Sequence, residues 1–276
     1  MEPRLLKSLV VGALFLVPAG AAAGAEAPMA MEAWLALAQQ GALPTDCTRQ
    51  LPPELQPGTE GVNLLDACPG IRPGAQLSVG CTMNFVFTDG PNLYIGTAGH
   101  CYNAGQRASA PNLGQFGTVV FSRNGGPGND FALIRVDPGF VADVNPTLCA
   151  FGGPVAAHNG AGQLGGLVYE YGWGIMTYLT PMTRARIHVN QGGAGDYRNW
   201  IGEGSGGDSG APIMTSDGQA YAIHTHGITP VFGVYGEGGT YIQKIYSMVR
   251  GAGININLVP GAADSFHPDK AFEPAA

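Results

Sequence analysis

The sequence predicts an all-β fold, a barrel or sandwich of many short strands with one helix near the C-terminus. Three observations carry this. The chain holds 44 Gly and 21 Pro in 276 residues, and they punctuate a succession of short apolar runs. Charged residues make up only 12% against 45% apolar, a balance that suits turns and strands rather than long solvated helices. A single late stretch, Ile242, Ile245, Tyr246 and Val249, has the i, i+3, i+4, i+7 spacing of one helix face, with Gly251 placed to stop it.

The elements follow in order. Phe85-Val86-Phe87 and Leu93-Tyr94-Ile95 flank Asp89-Gly90-Pro91-Asn92 and read as a hairpin. Residues 116–121 and 131–136 read as two strands separated by the turn Asn124-Gly125-Gly126-Pro127-Gly128. Further strands are expected over 166–171, 184–189, 212–214, 220–225 and 229–235. Their number and spacing suit a barrel or a sandwich.

The N-terminus has a different character. Arg4 and Lys7 precede the apolar run Leu9–Val17, followed by small residues from Ala19 to Ala25 with Ala23-Gly24-Ala25 at a cleavage position. This is the layout of a secretory signal peptide, and the run is short for a membrane span. An uncleaved anchor is the alternative. The expected organisation is a signal peptide over 1–25, a propeptide or N-terminal extension over 26–74, the folded domain over 75–262 and a loose polar tail over 263–276. Within the second segment, Met29–Gln40 is Ala-rich and suits a short helix, while Leu43–Pro73 is rich in Pro and turn residues. The expected protein is secreted, extracellular or periplasmic, and free of the membrane after signal cleavage. A formal net charge of −7 offers no basic face for phosphates, so nucleic acid is excluded as a partner.

Five cysteines follow the signal: Cys47, Cys68, Cys81, Cys101 and Cys149. An exported chain meets oxidising conditions, so disulfides are expected, with one thiol left over. No pair has the close spacing of a zinc site, and His224-Thr225-His226 lacks a third ligand, so no metal and no cofactor are expected.

Three segments carry chemistry together: Thr97-Ala98-Gly99-His100-Cys101, Asn129-Asp130-Phe131-Ala132-Leu133-Ile134 and Gly206-Gly207-Asp208-Ser209-Gly210-Ala211-Pro212. A serine hydroxyl is a poor nucleophile at neutral pH and needs a neighbouring base. His100 supplies a base that titrates near neutrality, and Asp130, leading into an apolar strand, is placed to hold the imidazole. Ser209 sits in a Gly-rich turn whose Gly207 and Ser209 N–H groups can converge on one oxyanion. A lipase-type elbow needs Gly-x-Ser-x-Gly, which Ala211 breaks, and its order places Ser before His.

In this order the three segments resemble the signature blocks of the chymotrypsin-like serine proteases, over roughly residues 75–255. The resemblance implies two antiparallel six-stranded β-barrels with the site in the cleft between them, followed by a C-terminal helix. It implies a monomeric endopeptidase that acts on peptide or protein substrates through His100, Asp130 and Ser209, with Gly207 and Ser209 as the oxyanion hole. It also implies a Cys81–Cys101 bridge beside the histidine. Cys149 would tether an N-terminal segment through Cys47 or Cys68, and a Cys47–Cys68 bridge is equally consistent. The alternative is an inactive binding module on the same fold.

Substrate recognition follows from the same resemblance. Thr225, His226 and Gly227 would pair with substrate backbone as an added strand. His224, within Ile223-His224-Thr225, is similar to the histidine of glutamyl endopeptidases, so a preference for Glu before the scissile bond is expected. Glu203, six residues before Ser209, stands where trypsin-like members place the acid at the pocket base, which would favour Arg or Lys instead. Asp208 resembles the acid that pairs with a freed N-terminus in zymogens, with Ile71 as the candidate terminus.

Overall fold

The computed structural model describes residues 33, 34, 36, 68, 70–111, 113–149, 151–174, 184–202, 204–231, 234–261 and 266–268. The signal segment, most of the expected Met29–Gln40 helix, Cys47, most of the Pro-rich stretch before Gly70, Glu203 and most of the tail lie outside them.

Two antiparallel barrels form the body, as the fold class required. The first is built from β1 (Val86–Thr88), β2 (Leu93–Thr97), β3 (Arg107–Ala110), β4 (Gly114–Asn124) and β5 (Asp130–Val136), joined by the late strand β13 (Asn257–Leu258) in the order β13-β1-β2-β5-β4-β3. The β1–β2 hairpin closes where it was expected, because the Asp89 carboxylate accepts hydrogen bonds from the Asn92 N–H and the Tyr94 hydroxyl. Every residue of β2 is buried, and β5 is buried at all positions except Arg135.

The second barrel contains β7 (Leu167–Tyr171), β8 (Ala185–Gly192), β9 (Tyr197–Ile201), β10 (Pro212–Thr215), β11 (Gln219–Val231) and β12 (Val234–Tyr241). Its ladder runs β10-β7-β8-β9-β12-β11, and β10 pairs again with β11 to close six strands into a ring. A two-residue strand, β6 (Ala156–Ala157), adds in parallel to β11 as a seventh. Trp173, Trp200, Tyr171, Tyr221, Phe151 and Ile223 fill this half of the core.

The helix α1 (Ile242–Gly251) forms where the apolar stripe placed it, with Ile242, Ile245, Tyr246 and Val249 buried. It returns the chain to the first barrel. Tyr246 packs edge-on to Phe87 at 6.2 Å, and its hydroxyl accepts a hydrogen bond from the N–H of Leu258 in β13. Among the described residues no helix is long and apolar enough to cross a membrane.

Four departures from expectation have physical causes. β3 and β9 carry Arg107 and Arg198 in short polar sequences, so neither shows clean apolar alternation; Arg198 is buried because its guanidinium lies 3.8 Å over the Tyr241 ring. The strand expected over 229–235 is divided between the end of β11 and the start of β12. Gly227 does not break β11; it pairs with Glu237, and register shifts after His224 absorb the bend. The tail is not wholly loose: Phe266 packs on Tyr169 at 5.7 Å, and the His267 N–H donates to Phe151 O. The segment before residue 75 is not merely superficial either. Trp34 is buried with its indole N–H on Val144 O, and Ile71 is buried and hydrogen-bonded to Asp143 and Asn145.

Candidate active site

Each side chain of the site is delivered by the end of a rigid element. β2 runs buried to Thr97 and breaks into a single 3-10 turn, Gly99–Cys101, which lifts His100 to the barrel rim. Gly99 is needed there because a Cβ would fall 2.0 Å from Arg123 O of β4. The Cys81–Cys101 disulfide anchors the turn on its other side. Asp130 opens β5 and is 5% exposed. Its backbone is clasped by Thr240 of β12, whose hydroxyl accepts from Asp130 N–H and donates to Asp130 O, so the two barrels meet at this residue.

The Ser209 turn is held from both barrels. Thr82 N–H donates to Ser209 O and the Thr82 hydroxyl to Gly207 O, while Gly210 N–H donates to His224 O. Gly207 has φ +111, and a Cβ there would lie 2.4 Å from Trp173 O, so this corner is open to glycine alone. Among the described residues, neither Gly207 N–H nor Ser209 N–H donates to a protein acceptor.

The three elements bring their side chains into a line. Asp130 Oδ2 lies 2.6 Å from His100 Nδ1, and Asp130 Oδ1 accepts the His100 backbone N–H at 3.0 Å. His100 Nε2 lies 2.7 Å from Ser209 Oγ. A carboxylate on Nδ1 makes that nitrogen the proton carrier and leaves Nε2 as the acceptor facing the hydroxyl. The Cys81 and Cys101 sulfurs near His100 are joined to each other and offer no thiolate to a metal.

The alignment of strands in this cleft decides the architecture. Among solved structures, Thermobifida fusca Protease A superposes with a TM-score of 0.51 at 22% identity, covering 69% of this chain and 99% of that one. The chain has the chymotrypsin-like fold. A glutamic acid specific serine protease, described as using a histidine triad in substrate binding, superposes equally well: TM-score 0.51, 18% identity, 68% of this chain and all of that one (100%). No protein-family model and no curated protein matches the sequence.

Within this chymotrypsin-like fold a buried charge cluster, not anticipated from the sequence, lies behind Ser209. Asp208 is fully buried and accepts from Gly174 N–H at 2.7 Å, Ser205 N–H at 2.9 Å and both terminal nitrogens of Arg186. Arg186 also reaches Glu170 at 3.0 Å. Glu170 accepts further from His188 Nε2 at 2.8 Å and His224 Nδ1 at 3.0 Å. His224 Nε2 then lies 3.0 Å from Glu237 Oε2. Burial alone would raise the Glu170 carboxyl, but the charges of Arg186 and His224 outweigh it and hold it well below 4.5. Burial likewise favours a neutral His224, but Glu170 and the hydrogen bonds to both carboxylates outweigh it and raise the ring from 6.5 to about 10. His224 is therefore an imidazolium with a carboxylate on each nitrogen.

Of the residues expected at the site, the structure brings together His100, Asp130, Ser209 and Gly207. It places His224, Thr225 and Gly227 on β11 beside the Ser209 turn, and Glu203 lies outside the described residues. β11 pairs with β10 only as far as Ile223, so from Thr225 onward that edge has no strand partner among the described residues, while the other pairs with β12. Glu170, Arg186, His188 and Glu237 were missed. Arg186, His188 and Asn190 do alternate along β8, but they are buried while Ile187 and Val189 between them are exposed, so the apolar residues of this strand marked the wrong face as the inner one.

Proposed function

We propose that the chain is a serine endopeptidase, cleaving peptide or protein substrates through an acyl-enzyme on Ser209. The supporting observation is the line of Asp130, His100 and Ser209 with contacts of 2.6 and 2.7 Å. Ser209 Oγ attacks the scissile carbonyl as His100 Nε2 takes its proton. The carbonyl oxygen becomes an oxyanion between the free N–H groups of Gly207 and Ser209. His100 then protonates the leaving amine, and water repeats the sequence on the ester. Asp130 keeps the ring in the required tautomer and stabilises its cation. The reading uses no cofactor or metal, takes the enzyme to be a secreted monomer, and seats substrate as an added strand on the β11 edge from Thr225 to Gly227.

Activation by a freed Ile71 terminus has little to act on. Asp208 already receives four hydrogen bonds, and Ile71 N–H is bound to Asp143 O. The preference for Glu expected from His224 needs a free imidazole donor, and both ring nitrogens are engaged. A fluorophosphonate probe tests the reading: it should label the wild-type protein and not Ser209→Ala. An unlabelled wild type would favour an inactive module on this fold.

A further inference from the structure

His224 sits directly under the Ser209 turn. Its N–H donates to Ala211 O at 2.8 Å and its carbonyl accepts Gly210 N–H at 2.7 Å, so its backbone is fixed to the two residues that follow Ser209. Beside it runs a slot between Gly204 and the β11 edge at Gly227, an edge with no strand partner among the described residues. Both walls are glycine. A Cβ on Gly204 would lie 2.6 Å from His224 Cε1 and 2.7 Å from Glu237 Cδ, and a Cβ on Gly227 would lie 3.3 Å from Glu237 Oε2. The slot exists because these two residues lack side chains, and the group standing in it is the Glu237 carboxylate.

Glu237 reaches this place from β12, where it is the ladder partner of Gly227. Its Oε2 takes the His224 Nε2 donor at 3.0 Å. Its Oε1 makes no hydrogen bond among the described residues, although the side chain is 6% exposed. Three carboxylates, Glu170, Asp208 and Glu237, are met by the Arg186 guanidinium and the His224 imidazolium, with His188 hydrogen-bonded to Glu170. The unused Glu237 acceptor lies at the slot. A second carboxylate entering there would meet like charge and find the histidine donor taken. A cation would find an acceptor that makes no other hydrogen bond among the described residues.

We propose that Glu237 is the specificity-determining residue of this slot, and that it selects a substrate with Lys or Arg before the scissile bond and excludes Glu and Asp. The inference rests on the endopeptidase reading. A substrate strand added to residues 225–227 with its carbonyl at Ser209 directs the side chain preceding that carbonyl into the gap between Gly204 and Gly227.

The test is a series of peptide substrates that differ only at that position, with Lys, Arg, Gln, Leu and Glu. They are assayed with wild type and Glu237→Gln after active-site titration with the fluorophosphonate probe. Wild type should favour Lys or Arg over Glu by about 100-fold or more in kcat/KM. The amide of Glu237→Gln still accepts from His224 and presents an N–H to the slot, so the ratio should fall by roughly 10- to 100-fold, chiefly through a gain on Gln and Glu. Wild type that cuts best after Glu, or after Leu with Lys and Glu alike poor, overturns the inference. So does an unchanged ranking in Glu237→Gln, or loss of the cation preference in Glu203→Gln instead. The wild-type series decides the matter even where a variant fails to fold. Failure of the probe to label wild type would instead remove the endopeptidase reading itself.

Discussion

At the scale of single residues, the site depends on groups whose alternatives are narrow. Asp130→Asn keeps the shape of the side chain but permits the wrong histidine tautomer, so kcat should fall about 10,000-fold with little change in KM. Steady-state kinetics on any cleaved peptide checks this. Gly207→Ala should twist the oxyanion corner, because its Cβ would meet Trp173 O at 2.4 Å at φ +111. A loss of about 100-fold in kcat is expected from a misplaced donor. Gly206→Ala, one position earlier, meets nothing within 4 Å and should be neutral. These residues were legible in the sequence because each motif carries its chemistry locally: a histidine after a buried strand, an acid before one, a serine among glycines. Glu237 was not. It stands among Gly236, Gly238 and Gly239 in no motif, and its importance lies in a contact with His224, 13 positions away, made because the β11–β12 register sets Glu237 opposite Gly227 and so within reach of that histidine.

At the scale of elements, the buried cluster binds β7, β8, β11 and β12 to the Ser209 loop. Arg186 is its hub. Arg186→Met leaves Glu170 and Asp208 buried with fewer donors, and removal of one partner from such a network costs about 3–5 kcal/mol. Urea unfolding should show that loss, and probe labelling should fall with it, since Asp208 directly precedes Ser209. The same cluster sets a pH window. The Glu170 pKa is lowered in the fold, so its contribution is present above about 4.5 and is lost as pH falls below that value. The His224 pKa is raised, so its contribution is full below 6.5 and is lost as pH rises toward about 10. The melting temperature should therefore be highest between about 4.5 and 6.5, and His224→Gln should flatten the alkaline limb. Melting curves across pH that rise steadily from 6.5 to 10 in wild type would contradict the charged imidazole. The strands themselves were legible where apolar residues alternate or run together, as in β2 and β5. They were hidden where a buried arginine interrupts the pattern, as in β9, and where Gly227 imitates a turn inside β11.

At the scale of the whole molecule, segments that precede and follow the two barrels are tied to them. The Cys68–Cys149 disulfide joins the segment before Ile71 to the region between the barrels, across 81 positions of sequence. Closing a loop of that length removes unfolded-state entropy, so the double substitution Cys68→Ser, Cys149→Ser should lower stability by about 4 kcal/mol in denaturant unfolding. Trp34 on Val144 and Phe266 on Tyr169 extend the same attachment at either end.

The sequence by itself determined the fold class, the candidate set of His100, Asp130 and Ser209, and the helix, because strand alternation, three short motifs and a helical stripe are each encoded within a few neighbouring residues. It left open which cysteine meets Cys149, how far β11 extends and what faces His224. Those were decided by tertiary structure alone. A disulfide partner, a strand register and a charge pair each depend on the distance between residues remote in the chain, and only the closed barrels set that distance.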